Sequence, residues 1–368
     1  MMEKQSFAED CRALAAELGS GQTRRDLIRS ALALGVAPAA LALGGGAARA
    51  QSGKEVVLVN FGGVAMKAFD EAFVKPFAAQ GGKIVLDGSG ALNGKILTMV
   101  QSRHVTWDIC DSGITGLAEL SPHGALEKID YSIVDKKKLD PTFAYDEGVV
   151  NYMFSSVLAW DKSKVSGEPT LADFFDTKKY PGRRMMRKDS QAMLELALIA
   201  DGVPKDKLYP LDVKRAFAKI ATIKKDLLFW NSGSESQSLM RDGECVMGLL
   251  WHTRANVLAD ETQGRVTYTF KDGLLQPGLW VVPKGNPAGK EAMRAIASMQ
   301  QPEGQVKLLA AMGNGPSNPA ADALVPAELK KKNPSDAANA AIQAKINAEW
   351  YKANHSKTFQ SFLDLISS

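Results

Sequence analysis

The feature that most limits how this chain can fold is GVVNYMFSSVLAW, Gly148 to Trp160. It is rich in β-forming residues and runs well past the usual strand length of about five or six residues. A run of that length can leave one sheet and enter another, so it divides the chain. On its N-terminal side strands and helices alternate. Glu55–Asn60 reads as a strand running into Phe61-Gly62-Gly63, where glycines let the backbone approach something closely. Ala65–Phe77 reads as a helix whose Phe69, Phe73 and Phe77 share one face, most simply for core packing. Lys83–Leu86 is a second strand, and Gly88-Ser89-Gly90 leads into a helix carrying Leu92, Ile96, Met99 and Val100. Trp107–Cys110 is a third strand, ended by Asp111-Ser112-Gly113. Such alternation implies a mainly parallel sheet with helices on both faces.

Beyond the long run a second αβ pattern begins. Thr170–Asp176 reads as a helix, Gly182–Met186 as a strand, and Asp189-Ser190 as the opening of the helix QAMLELALIA, closed by Gly202. Asp189 is either the N-cap of that helix or a ligand contact. Val266–Phe270 is another strand, and Leu279–Pro283 (LWVVP) looks like a return crossing, followed by a helix over Lys290–Met299. Gly313–Pro319 is a loop that crosses once more. The end, from Ser335 to Ser368, reads as helical, with Trp350, Tyr351, Phe359 and Phe362 packing it down.

Within the second pattern, Phe229–Asn256 (FWNSGSESQSLMRDGECVMGLLWHTRAN) reads as a Ser-rich turn, a short helix, an Asp242-Gly243 turn and a buried strand ending in Trp251. Ser232 followed three residues later by Glu235 is a capping box. In open α/β sheets ligands bind beside strand ends and helix N-termini, so this block can supply both halves of a pocket. A capped surface helix on a core strand, with Trp251 as filler, accounts for the same residues without a ligand.

The first residues stand apart. Thr23-Arg24-Arg25-Asp26-Leu27-Ile28-Arg29 is a twin-arginine export signature, Ala31–Leu43 an apolar run too short for a permanent anchor, and Ala48-Arg49-Ala50 a signal-peptidase site. Cleavage after Ala50 and a periplasmic product are expected. Removing the leader's 6 basic and 5 acidic residues from the 45 and 41 of the full chain leaves 39 against 36. That near balance argues against a nucleic-acid or membrane-surface partner. Of the 3 cysteines, Cys11 leaves with the leader, while Cys110 and Cys245 lie in apolar runs where free buried thiols are expected.

Catalytic and cofactor signatures do not emerge. Gly62-Gly63 lacks the third glycine of a dinucleotide loop, no Gly-Lys-Ser/Thr follows a glycine loop, and there is no Gly-x-Ser-x-Gly or His-Glu-x-x-His. His104, His123, His252 and His355 are isolated, so no metal site is expected. Asp173 and Asp176 share a helix, where a solvated face is the simpler reading.

The order of the pieces resembles the spermidine/putrescine-binding proteins, periplasmic receptors of ABC importers. The resemblance rests on the strand before Gly-Gly, "WDICDS", "GVVNYMFSSVLAW", "PTLADFFDTKKYPGRRMMRKDS", "WNSG…DGECVMGLLWHTRA", "LWVVPKGNP" and "GNGPSNP". It covers the whole chain after the leader. It implies a type II periplasmic-binding-protein fold: two doubly wound α/β lobes joined by hinge crossings, closing on a small-molecule ligand and presenting it to a membrane permease. Residues 51–154 and 275–312 would form the first lobe, 155–274 and 313–368 the second. A monomer that needs no cofactor and performs no chemistry is expected.

Carried over by position, Trp251 matches the tryptophan lying on the ligand's aliphatic chain, Asp189 an acid that meets a ligand amine, and Ser112 a serine after the third strand. The other candidate ligand-binding residues are Phe61, Gly62, Gly63, Ser89, Gly90, Asp111, Tyr152, Ser190, Ser232, Arg254 and Gln276. Several positions depart from polyamine binders. Phe61-Gly62-Gly63-Val64 replaces an aromatic-acid cluster, Ala192 a second acid, Gly278 an aspartate, Gln276 an aromatic, and Asn314 or Gly315 another aromatic. A buried ammonium without a carboxylate costs several kcal/mol, so a polycation would lack partners at one end. Arg254 and the amides at Ser232–Ser234 and Ser89–Ala91 suit an anionic group instead, unless Arg254 merely pairs at the surface or between lobes. The expected solute is amine-containing. The alternative is a zwitterion or anion: an amino-acid derivative, an opine-like compound or an aminophosphonate. A twin-arginine-exported enzyme is a remote reading, and a ligand-sensing partner of a chemoreceptor or kinase would use the same cleft.

Overall fold

A computed structural model describes residues 54–139 and 143–367. The expected leader, its cut after Ala50 and Cys11 lie outside them. Strand β1 (Val56–Val59) pairs in parallel with β2 (Ile84–Asp87) and β3 (Ile109–Gly113). The long run is β4 (Val149–Asp161), a single strand as its β-branched and aromatic content predicts. Next come β5 (Arg184–Arg187), in parallel with β6 (Leu227–Trp230) and β7 (Met247–Trp251). Strand β8 (Val266–Val281) runs antiparallel to both β3 and β4, while β4 pairs with β7. The two long strands therefore carry one sheet path, β2-β1-β3-β8-β4-β7-β5-β6, through two α/β lobes. Short strands β9 (Gly315–Pro316) and β10 (Ala344–Lys345) attach to β4 and β8.

Strand β8 corrects the expectation of two separate strands, Val266–Phe270 and the LWVVP crossing. Gly273, Pro277 and Gly278 read as breakers, yet Pro277 lies opposite Met153 where the β4–β8 register is irregular. A proline is tolerated there because it forfeits no regular ladder hydrogen bond.

The core is split in the same way. One cluster gathers β1, β3 and the Phe69, Phe73 and Trp280 side chains; another gathers Phe174, Leu194, Leu196 and Leu249 on the far side. Cys110 and Cys245 are buried free thiols in different clusters. The aromatic row on helix α1 (Val64–Phe69) and its continuations does pack the core, since Phe69 and Phe73 both meet Trp280 edge-on. The last helix, Ala348–Ser367, places Tyr351 in the first cluster and Phe362 in the second, so it leans on both.

Among the helices that escaped the sequence reading are Val213–Ala221, His252–Glu261 and Pro302–Met312. The second matters most for the site. It starts directly from β7 with Trp251 in its N-cap position and no capping side chain, so no start signal precedes it. Its first residue, His252, is fully buried. The Ser155 amide donates to its Nδ1 at 2.9 Å, so its Nε2–H donates to the Gly313 carbonyl at 2.8 Å, tying β4 to the loop after helix Pro302–Met312. Burial pushes this imidazole down to about 4, which keeps it neutral.

Candidate functional site

The ends of β3, β5, β6 and β7, with the helices that follow them, open on one cavity of about 310 Å³. Its apolar wall is built around Trp251. Phe61, Phe154 and Trp230 surround that ring at centroid distances of 5.8, 6.4 and 5.0 Å, and the Arg187 guanidinium lies over it at 5.1 Å. The Trp230 indole N–H is already spent on the Leu249 carbonyl at 3.0 Å, which fixes the rings behind Trp251. Such a wall suits aliphatic segments of a solute.

A first group of charged residues sits beside it. Arg254 is 3% exposed, lies in the first turn of helix His252–Glu261 and is in no ion pair among the described residues. Its Nε and Nη1 have no hydrogen-bond partner. A Cβ on Gly233 would come within 2.3 Å of that Nε, so glycine at the start of helix Gly233–Arg241 makes the guanidinium's seat. Two helix N-termini thus adjoin a buried, unpaired guanidinium, an arrangement that calls for an anion. Surface or interlobe pairing of Arg254, the other reading of the sequence, does not occur among the described residues. Asp111 is buried nearby, accepting from the Tyr152 hydroxyl at 2.9 Å and from Asn151 Nδ2 at 3.1 Å. Burial pushes its carboxyl up to about 7, against the pull of Tyr152, Asn151 and the Arg254 charge.

A second group holds an ion pair of its own. Arg187 and Asp189 make an ion pair at 3.2 Å. Asp189 is not a helix N-cap: its Oδ1 accepts from the Gln191 amide in a local turn, and the helix begins only at Met193, after Ala192 in a left-handed conformation. Gln191 in turn accepts from Thr115 and donates to Gln276, which donates to Ser156. Glu119 accepts from Asn93 at 2.7 Å, and His355, 6% exposed, has an unpartnered Nδ1.

Of the residues singled out from the sequence, Phe61, Asp111, Ser112, Tyr152, Asp189, Trp251 and Arg254 line the cavity together. The others take supporting positions. Gly62 and Gly63 are left-handed and close-packed, Gly62 on the Gly88 carbonyl and Gly63 beside Arg254. The Ser89 and Gly90 amides are bonded to Asp87 and Asn60, and the Gly62 amide to Asn60, so they offer nothing to an anion. Ser232 caps its helix by accepting from the Glu235 amide, but Glu235 reaches back to Asn231 rather than to Ser232, so the capping box is half made. Ser190 and Gln276 are buried behind the wall, the latter held by Gln191 and Ser156. Arg187, Phe154, Trp230, Glu119, Asn314, His355 and Phe359 were not picked from the sequence as ligand contacts, yet all line the cavity. Only Arg187 had a local signal, standing two residues before Asp189 at a strand end.

Counting charged side chains on the lining, Asp111, Glu119 and Asp189 face Arg187, Lys188 and Arg254. The cavity is therefore formally neutral. No surplus of acid awaits a polycation, and Gly278 shows why. A Cβ there would meet Asn151 Oδ1 at 2.3 Å and the Tyr152 ring at 2.7 Å, so the space for an aspartate is taken.

Residues 65–340 match the family of bacterial extracellular solute-binding proteins. The gamma-aminobutyric acid-binding protein of Pseudomonas aeruginosa is 30% identical over 327 residues, which span 86% of this chain and 92% of that protein. AgtB from A. tumefaciens R10, solved in complex with agropinic acid, is 33% identical with a TM-score of 0.80, covering 85% of this chain and 99% of AgtB. The spermidine/putrescine-binding periplasmic protein 1 of Haemophilus influenzae is more distant, 23% identical over 227 residues that span 58% of this chain and 62% of the relative. The polyamine-type resemblance thus holds at family level, while higher identity goes with relatives named for other solutes. The chain belongs to the bacterial extracellular solute-binding proteins, the receptors of ABC importers.

Proposed function

We propose that this receptor captures a small solute carrying both an amine and an acid group, an amino-acid derivative, an opine-like compound or an aminophosphonate, rather than a polyamine. The observation that carries this reading is Arg254, a buried guanidinium whose Nε and Nη1 have no partner beside a buried Asp111. A cation placed there meets one acid and one unpaired like charge. A zwitterion gives its acid to Arg254 and its amine to Asp111, satisfying both. The relatives named for γ-aminobutyric acid and agropinic acid point the same way. Trp251, Phe61 and Phe154 would hold the carbon chain between the two ends.

In this reading the lobes, residues 51–154 with 275–312 and 155–274 with 313–368, hinge about β4 and β8 and close over the solute. The closed form would engage an ABC permease as a monomer after twin-arginine export and cleavage behind Ala50. The protein performs no chemistry on its cargo. Calorimetric titration of residues 51–368 with γ-aminobutyric acid, agropinic acid and spermidine tests the solute class. Binding of an acid-bearing solute with none of spermidine is expected; tight spermidine binding with neither acid bound would overturn it.

A further inference from the structure

Of the residues lining the cavity, Arg254, Asn314 and His355 have buried side-chain polar atoms with no partner among the described residues. The Arg254 nitrogens only donate, and the solute's acid answers them. His355 Nδ1 donates or accepts according to its tautomer, so it sets no condition on the solute. Asn314 Oδ1 is a carbonyl oxygen and only accepts. The residue is 4% exposed, and a buried acceptor left unmet carries a desolvation cost that a donor on the solute would remove.

The fold holds this acceptor from both sides. Helix Pro302–Met312 ends at Gly313, left-handed at φ 92°, whose carbonyl accepts from His252 Nε2 at 2.8 Å. Immediately after Asn314, strand β9 pairs with Tyr152 and Met153 of β4. The Tyr152 hydroxyl donates to Asp111 at 2.9 Å, so the Asn314 loop and the buried acid adjoin the same residue of the wall.

We infer that Asn314 Oδ1 is a second acceptor for the solute's ammonium beside Asp111, so that the site selects a nitrogen carrying at least two N–H groups. This rests on the zwitterion reading of the site. Primary and secondary ammonium zwitterions meet the condition; tertiary and quaternary ones, the betaines among them, do not. The aromatic wall alone argues the other way, since aromatic faces attract quaternary ammonium groups. Here the Arg187 guanidinium already lies over the Trp251 ring at 5.1 Å, so that face has its cation. A trimethylated nitrogen would seal Asn314 Oδ1 from water without giving it a donor.

The test is a calorimetric series: γ-aminobutyric acid and its N-methyl, N,N-dimethyl and N,N,N-trimethyl derivatives, which share one acid end and one carbon chain. Wild-type protein should bind the first two within about threefold of each other and lose ~10-fold, about 1.4 kcal/mol, at the dimethyl step, where the second N–H disappears. That series needs no variant to fold. Asn314→Leu should lose ~10-fold for γ-aminobutyric acid and change little for the trimethyl derivative, which flattens the series. Asn314→Asp keeps an acceptor and should keep the step. An even decline with each methyl in wild type means crowding and overturns the inference. A step that survives in Asn314→Leu, or vanishes in Asn314→Asp, overturns it too, and in each case the zwitterion reading stands. Binding of no member of the series, with spermidine bound, sinks both.

Discussion

The two charged groups on the cavity differ in one respect that decides their roles. Arg187 and Asp189 hold each other at 3.2 Å, and Asp189 also receives the Gln191 amide, so this pair is complete without a ligand. Arg254 and Asp111 are more deeply buried, are not in ion-pair contact, and leave two guanidinium nitrogens without partners. A satisfied pair that keeps some solvent contact adds little to stability and gains little from a solute. An unpaired buried charge is costly to keep, and that cost is released when a ligand supplies the missing partner. The contrast shows that an acidic or basic side chain lining a cavity is a weak pointer to ligand binding, and that an unmet hydrogen-bonding capacity is a stronger one.

The largest expected effect comes from removing the unmet charge. Arg254→Met should weaken binding of an acid-bearing solute by roughly 100-fold or more, the loss of charged hydrogen bonds worth about 3 kcal/mol. The same variant should hold or raise the thermal midpoint of the empty protein, because a buried uncompensated charge is gone. A large affinity loss with a fall in that midpoint would mean that Arg254 props up the fold instead.

Next in size is the pH dependence set by Asp111, whose carboxyl sits near 7 in the empty cavity. An amine-bearing solute favours the carboxylate, so affinity should rise by about tenfold as pH climbs from 6 to 8. Asp111→Asn should flatten that profile. Linkage in the empty protein has the opposite sign. A carboxyl raised above its unfolded value contributes its stability below about 4 and loses it as pH rises through 7, so Asp111→Asn should gain stability over wild type in alkaline buffer. A profile that stays steep in the asparagine variant would assign the titration to another group.

The smallest effect belongs to the completed pair. Asp189→Asn should cost the empty protein about 1 kcal/mol or less, since both side chains keep some solvent contact. For the amino-acid head it should change affinity several-fold at most. A loss as large as that of Arg254→Met would erase the distinction between the two groups and restore Asp189 to the role that position suggests.

The architecture was legible because strand and helix periods and the length of Gly148–Trp160 are local signals. Trp251, Arg254 and Asp111 were visible too, as residues at or just beyond strand ends. What stayed hidden depends on approach in space. Nothing in the sequence around His355 or Phe359 says that the last helix reaches the cavity wall. The amides of Ser89 and Gly90 looked available because their partners, Asp87 and Asn60, are set by the fold of the turn. The glycines after β1 were correctly read as points of close approach, but what they approach is the Gly88 turn and Arg254. Strand β8 was cut in two because Pro277 and Gly278 mimic a loop wherever sheet register is unknown.

The claim that Arg254 takes the acid end of the solute is tested most directly by a cycle that pairs one mutation with one change in the solute. The dissociation constants of an amino-acid solute and of its carboxamide, which keeps the ammonium but has no carboxylate, are measured in wild type and in Arg254→Met. The account predicts that the variant loses about 100-fold for the acid and next to nothing for the amide. Equal losses for both compounds would contradict it.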